Sequence, residues 1–597
     1  MAVHDWRTWR DYDKIDNDVV IRIKNLKVWT PEEKPWWRRK PTKCKTLILN
    51  NISGCLRRNE FTAIIGPSGA GKTTFLVSLA GKCTLPSEGS VTLGSRNVRE
   101  CAGAVEIVPQ HEAFMNGLSV IEHLVFMTEI KIGSCRDLRN RTMLDSLMEE
   151  FQLRAHRDTP IGALSGGEKR LLSLATTLLS DPQILICDEP TTGLDSYNAL
   201  LVIGVLKKLS AAGRVVICSV HQPSCDLFKE FTSVLLMAEG RLLFHGAKDE
   251  CMDAFESIDL HCPINYNPAE FYIRAVSNSN TNIQKLVEIS ENRLQIDRTS
   301  PIRPDPVYSC SKTVQRNWFK QVYLLLWRQS LSLKRNARNH LIQLFVSVII
   351  TSLVLTVSYV GASGTTQSGV QDIRGFLWLI TSEVAFGVSY SALYAFEYEI
   401  TLFKREVGMY TCSAYFVSRF MSFIPRCILW PIALVSVSTL AVELPNHVVT
   451  AVKFCATLIL GAIPSVAYGL GMAALFTSTG IMGDVMPCID LPLFLMSGAF
   501  LRISSLPTWM YPVKYISHFF YAMDAVSNIY WRQIEHIDCP LNETSTCVKD
   551  GAAVLMENGY AGDYILQDSL GFLLITVFWC VLGYIGLKRE EKKGYAY

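Results

Sequence analysis

No CxxC pair occurs among the 18 cysteines of this chain. A zinc site is therefore not expected, and most of the thiols read as reduced core or membrane residues. Net charge is also small: the formal balance is +3 over 597 residues, 19% of which are charged. No basic stripe interleaved with aromatics appears, so nucleic acid is not an expected partner. The run MAVHDWRTWRDYDK lacks the apolar segment of a secretory signal, and the N-terminal half is expected in the cytosol. Long charge-free runs are missing from the first 300 residues and frequent from about Leu341 onward. The length exceeds one ordinary core, so at least two domains are expected, a soluble α/β part and a membrane part.

What is present first is a phosphate cradle. Gly66-Pro67-Ser68-Gly69-Ala70-Gly71-Lys72-Thr73-Thr74 has the P-loop spacing. The apolar run FTAIIG before it reads as a buried strand, and TTFLVSLAG after it has helical spacing. Glycines let backbone N–H groups close around phosphates, and the helix N-terminus adds positive potential. Lys72 is expected to neutralise the β- and γ-phosphates and Thr73 to ligate Mg²⁺. A second strand, QILICDEP, ends in Asp188 and Glu189. Asp188 is expected to hold Mg²⁺ through water, and Glu189 to polarise the water that attacks the γ-phosphate. In LSGGEKR, the residues Leu164, Ser165, Gly166, Gly167 and Glu168 precede a helical run. They read as a second anion-binding turn or, equally, as a plain helix cap.

These motifs, with Gln110 in IVPQHEAF, Asp195 in GLD and His221 in SVHQPS, follow one another as in an ATP-binding cassette. Residues 20–260 resemble the nucleotide-binding domain of ABC transporters. The resemblance implies a head-to-tail dimer, with ATP between the P-loop of one chain and the Ser165-Gly166-Gly167 turn of the other. It also implies that His221 touches the γ-phosphate, that Gln110 meets Mg²⁺ and links nucleotide to membrane domain, and that Asp195 belongs to the connecting D-loop. An aromatic commonly stacks on adenine in this family. Trp29 stands at that place, with Trp36 and Trp37 as rivals.

Six segments of the second half read as membrane spans: residues 341–360, 375–396, 420–442, 451–477, 485–501 and 570–587. Basic flanks place both termini on the cytosolic side. Pro425, Arg426 and Pro431 imply a broken or tilted start to the third span. Residues 1–272 form the expected cassette, 273–311 a linker, 312–335 an amphipathic interfacial helix and 336–597 the membrane domain. In that amphipathic helix Trp318, Val322 and Leu325 are the apolar residues, Lys320 and Arg328 the polar ones.

A cassette ahead of one membrane domain, with NPAEFY and LFKREVGMYTCSAYF, is similar to the G subfamily of ABC half-transporters. GVQDIRGFLWLITSE and GLDSYNA look most like the insect White, Scarlet and Brown group, which load eye-pigment precursors. The implied fold is an α/β P-loop cassette followed by an all-α domain of six helices. The implied partner is a second half-transporter, a different one rather than a second copy. The implied cargo is a small aromatic metabolite, and the membrane that of a pigment organelle or the cell surface. A lipid, sterol or xenobiotic exporter, or a regulatory or channel subunit, are the alternative readings. One departure is that Lys169-Arg170 is followed by Leu171, where the subfamily has a third basic residue, so the helix start is expected to be less positive.

An outer loop over 502–569 carries a glycosylation sequon at Asn542, whereas the sequons at Asn51 and Asn140 fall in the cytosolic part. Cys539 and Cys547 are expected to pair with each other or with a partner chain. Glu383 is ionisable and mid-span, which makes it a candidate transport residue or a structural lock; Asp490 is a weaker candidate. Phe376, Trp378, Phe386 and Tyr390 are candidate cargo-facing aromatics.

Overall fold

A computed structural model describes residues 19–30, 46–297 and 316–593, apart from 102, 111, 136, 278–279, 440–441, 477–478, 499, 540–546 and 561–563. The chain divides into two compact units, one of residues up to Arg316 together with Lys593 and one spanning Asn317–Lys592.

The first unit holds two sheets. Strands β1 (Val19–Trp29), β2 (Leu47–Arg57), β4 (Ser87–Leu93) and β5 (Arg96–Asn97) form an antiparallel sheet in the order β2-β1-β4-β5. Strands β3 (Phe61–Ile65), β6 (Val105–Val108), β7 (Ile184–Cys187), β8 (Val215–Ser219), β9 (Ser233–Ala238) and β10 (Arg241–Ala247) form the central sheet, ordered β10-β9-β3-β8-β7-β6. β6, β7, β8, β3 and β9 run parallel. Every residue of β3, β7, β8 and β9 is buried. That explains why their sequences are continuous apolar runs without alternation. The P-loop helix Lys72–Leu79 packs Phe75, Leu76 and Leu79 into a core shared with Ile21, Leu49, Ile64 and Ile217.

The expected linker is in part helical. Helices Pro268–Ser277 and Asn280–Asp297 continue the first unit, and the rest of the linker, 298–311, lies outside the described residues. Ile283 and Leu286 of the second helix are buried. This i, i+3 pair was hidden by the polar residues around it.

In the second unit, helix Trp318–Arg335 matches the expected amphipathic segment. Arg328 departs from the expectation. It is 1% exposed and lies 2.6 Å from the Glu406 carboxylate, which itself accepts from Tyr410. A guanidinium is buried when a carboxylate comes with it.

Helices Ala337–Tyr359, Gln367–Arg405, Cys412–Ser438, His447–Leu475 and Tyr564–Lys592 are long and apolar enough to cross a membrane. The third is interrupted at Phe423, just before Pro425. The fifth expected span appears as Thr479–Leu495, only 17 residues long and containing Pro487 and Pro492. The expected outer loop, 502–569, is not simply a loop. It folds into helices that include His518–Trp531, every residue of which is buried, and Gly551–Asn558. At fourteen residues, the helix His518–Trp531 is too short to register as a span. It packs on the second and fourth spans through Phe519 against Phe386 and His518 against Tyr468.

Candidate functional site

Parallel strands deliver their C-terminal ends to one edge of a sheet. Here β3 delivers the P-loop, β8 delivers Ser219 and the segment to His221, β7 delivers Asp188 and Glu189, and β6 leads to Gln110. Residues separated by more than 150 positions in sequence thereby meet: Ser68 Oγ lies 3.4 Å from His221 Nε2.

The loop conformation depends on glycine. Gly71 has φ 91° where it starts the helix, and a Cβ there would stand 2.8 Å from Leu49 Cδ2. A Cβ on Gly66 would stand 2.1 Å from Met237 O. Lys72 is buried, and its ammonium donates to Gly66 O (2.8 Å) and Pro67 O (3.1 Å). Burial lowers its pKa, opposed by the charges of Glu189 and Asp188. Pro67, Gly69, Ala70, Thr73 and Thr74 complete the loop and first helical turn, with Ala70 N–H donating to Pro67 O at 3.2 Å.

Asp188 is 2% exposed, and its Oδ1 accepts from Ser219 Oγ at 2.5 Å. The same hydroxyl accepts from Glu189 N–H at 2.8 Å. Ser219 therefore ties both carboxylate residues to the neighbouring strand. Glu189 adopts φ 45°, which turns it out of the strand direction. Its Oε2 accepts from Gln110 Nε2 (2.7 Å) and Thr192 Oγ1 (2.9 Å). Both donors engage the same oxygen, which leaves Oε1 for a water.

Arg170 was missed by the sequence reading, which saw only its contribution to a positive helix start. It is 4% exposed and points into its own chain. It donates to Pro109 O (2.7 Å), Gln110 O (2.7 Å) and Glu189 O (3.2 Å), and pairs with Glu112 (3.3 Å). No local pattern distinguishes such a residue from a surface arginine; only the sheet edge reveals its target.

The signature turn is built as a helix cap. Ser165 Oγ accepts from Glu168 N–H, and Glu168 Oε2 accepts from Ser165 N–H at 2.8 Å. Burial raises the Glu168 pKa, but bonds from Ser165 and the nearby His156 outweigh it and hold the carboxyl low. Leu164 and Gly167 are buried, while Ser165 and Gly166 are exposed at the start of the thirteen-residue helix Gly166–Leu178. Asp195 caps helix Ser196–Ala211 through Asn198, whose side chain leaves no room for a Cβ on Gly167. The bond from the Asn198 side chain is the main cause that lowers the Asp195 pKa.

Trp29 is half-buried at the end of β1, with its backbone N–H donating to Pro86 O at 3.0 Å. Trp36, Trp37 and Asn542 lie outside the described residues. Asn140 is buried and donates to Ser134 O.

In the membrane unit, Thr351 of the first span donates to Glu383 Oε1 at 3.3 Å. Asp490 is buried and clasped by Tyr468 (2.5 Å) and Tyr390 (2.9 Å). Trp378 and Phe386 join one aromatic cluster with Phe494, Phe500 and Phe519. Phe376 does not join it; it is fully buried beside Tyr359. Cys539 and Cys547 are bonded to each other.

Residues 49–192 match the ABC transporter family, and residues 320–531 and 221–297 match ABC-2 type transporter families. Protein white of Drosophila melanogaster is 30% identical over 580 residues, covering 92% of this chain and 84% of that protein. The chain belongs to the ABC transporter family. Protein brown of Drosophila melanogaster is 28% identical to this ABC transporter, covering 97% of the chain and 98% of its own length. Protein scarlet of the same organism is 27% identical over 92% of the chain. The ABC transporter is an integral membrane protein that binds and hydrolyses ATP in its α/β cassette and couples the hydrolysis to transport through its helical domain.

Proposed function

We propose that this transporter is one half of a two-chain pump, paired with a related but different half-transporter, that moves a small planar aromatic metabolite. The observation that carries the pairing is the exposed Ser165-Gly166 turn at the start of a capped helix. A helix start of this kind receives an anion, and in the head-to-tail arrangement the anion is the γ-phosphate held by the partner's P-loop. One chain supplies one P-loop and one signature turn, so two chains complete two sites.

The cassette residues fit ATP and Mg²⁺. The glycine-dependent loop and buried Lys72 suit a triphosphate, and Thr73, Asp188 and Gln110 would hold hydrated Mg²⁺, which would screen charge between the β- and γ-phosphates. Glu189 draws a proton from the water through Oε1 while Gln110 and Thr192 fix its other oxygen. His221 contacts the γ-phosphate from the end of β8, and Trp29 stacks on the base. Asp195 carries the state of one site to the other.

The cargo belongs to the tryptophan-derived or pteridine-like pigment precursors, carried across a pigment-organelle or surface membrane with the cassette and both termini in the cytosol. The likeness to White, Brown and Scarlet supports this, as does the aromatic cluster around Trp378 and Phe386. Asn542 then faces the lumen and carries a glycan.

Expression alone and with each related half-transporter, followed by ATPase and uptake assays, tests the proposal. Full substrate-stimulated activity from this chain alone would reject the hetero-pair. Stimulation by sterols and not by aromatic metabolites would reject the cargo. A glycan that persists in Asn542→Gln would reject the site.

A further inference from the structure

The sixth span, Tyr564–Lys593, carries an aspartate about one turn inside its start. Asp568 is 2% exposed within a single chain. Neither of its carboxylate oxygens has a hydrogen-bond partner among the described residues. The buried helix His518–Trp531 contributes a second carboxylate, Asp524, also fully buried, whose charge acts on Asp568.

The two acids are not equivalent. Asp524 accepts from Asn528 Nδ2 at 2.6 Å, and Asn528 in turn accepts from Arg532 Nε at 3.1 Å. Asp524 is therefore linked through Asn528 to a cation. Asp568 has no such relay. Tyr521 from the same buried helix faces Asp568. Tyr560 and Lys514 face Asp524, and Arg374 of the second span faces Tyr560. None of them donates to Asp568.

An ionised carboxylate that is buried, without donors and beside a like charge is strongly disfavoured, and the ordinary resolution is protonation. A divalent ion fits less well. Among the described residues no group of three or more His, Cys, Asp or Glu side chains could hold a metal. The burial is complete within one chain, so a second subunit is not what the carboxyl awaits.

We propose that Asp568 is a proton-binding site of the membrane domain. At neutral pH in the packed state its carboxyl holds a proton. When the buried helix shifts and water enters, the O–H bond breaks, the proton passes to that water, and Asp568 is left ionised until repacking takes a proton back from water. Transport is then sensitive to pH on the side from which the water enters.

The test is infrared spectroscopy of the full chain, reconstituted in lipid with its partner half-transporter. Near neutral pH the wild type should show a C=O stretch of a protonated carboxyl, which Asp568→Asn loses and Asp568→Glu retains. Asp524→Asn removes the like charge, so the band should titrate away at lower pH than in the wild type. ATP-driven uptake should fall at alkaline pH in the wild type and lose that dependence in Asp568→Asn. A protonated-carboxyl band unchanged in Asp568→Asn overturns the proposal. So does loss of an ionised carboxylate signal instead, which would mean a hydrated charge, or a carboxylate signal that responds to Na⁺ or K⁺. The infrared measurement needs no cargo, so it fails separately from the transport reading.

Discussion

Gln110 donates its side-chain N–H to Glu189 at 2.7 Å, across 79 positions of sequence. The bond fixes one carboxylate oxygen and orients the other. Glu189→Gln should therefore bind ATP and lose turnover by about 10²–10³-fold, as expected when one preorganised group is removed. Gln110→Ala should bind ATP and turn over more slowly than wild type but faster than Glu189→Gln. Phosphate release from the assembled pair is the measurement, and wild-type turnover in Glu189→Gln would remove it from the role of base.

Arg170 holds three carbonyls from two different strand ends, Pro109, Gln110 and Glu189. Lysine cannot reproduce that planar fork. Arg170→Lys should lower turnover through misplaced Gln110 and Glu189, and should destabilise the cassette by about 1.5–3 kcal/mol for each charged bond lost. Thermal unfolding and ATPase assays check both effects. If the variant affected only pairing of the two chains, the inward orientation would not be what matters.

Glu106 on the edge strand β6 lies 3.3 Å from Lys82 and 4.0 Å from Lys131. Burial raises its pKa, but the two ammonium groups and their bonds outweigh it, and the net shift is downward. A carboxyl lowered on folding stabilises the fold above its unfolded pKa, about 4.3 for Glu. That contribution is lost as the pH falls through the lower folded value. The melting difference between wild type and Glu106→Gln should be largest near neutral pH and shrink in acid. A gap that widens in acid would contradict the assigned sign.

Glu383 accepts a bond from Thr351 and so joins the first two spans. Glu383→Gln can still accept that bond while losing the charge. It should fold and bind ATP normally, with transport per ATP reduced. Thr351→Val removes the donor alone. Equal, normal uptake in both variants would leave Glu383 a structural lock.

The P-loop, the Asp188-Glu189 pair and the signature turn were readable because their chemistry is local: a few residues in fixed spacing between a buried strand and a helix. Spans were readable from apolar length. Arg170 and Ser219 were not readable, since each acts through a strand end far away in sequence. Residues 280–297 passed for linker because, among the described side chains, the buried apolar pair Ile283 and Leu286 stands among many polar ones. The helix His518–Trp531 passed for loop because a helix buried on all sides shows no periodic pattern and this one is too short to cross a bilayer.

The exposed Ser165-Gly166 turn has a consequence for inheritance. In a head-to-tail pair, a lesion at Lys72 disables the site that uses this chain's P-loop, and a lesion at Ser165 disables the other. Two such lesions on one chain therefore silence both sites. The same two lesions divided between the chains, Lys72 here and the signature serine on the partner, fall on a single site and spare its twin. In the proposed pair of two different chains, alleles of the two genes would then complement or fail to complement according to which motif each one breaks.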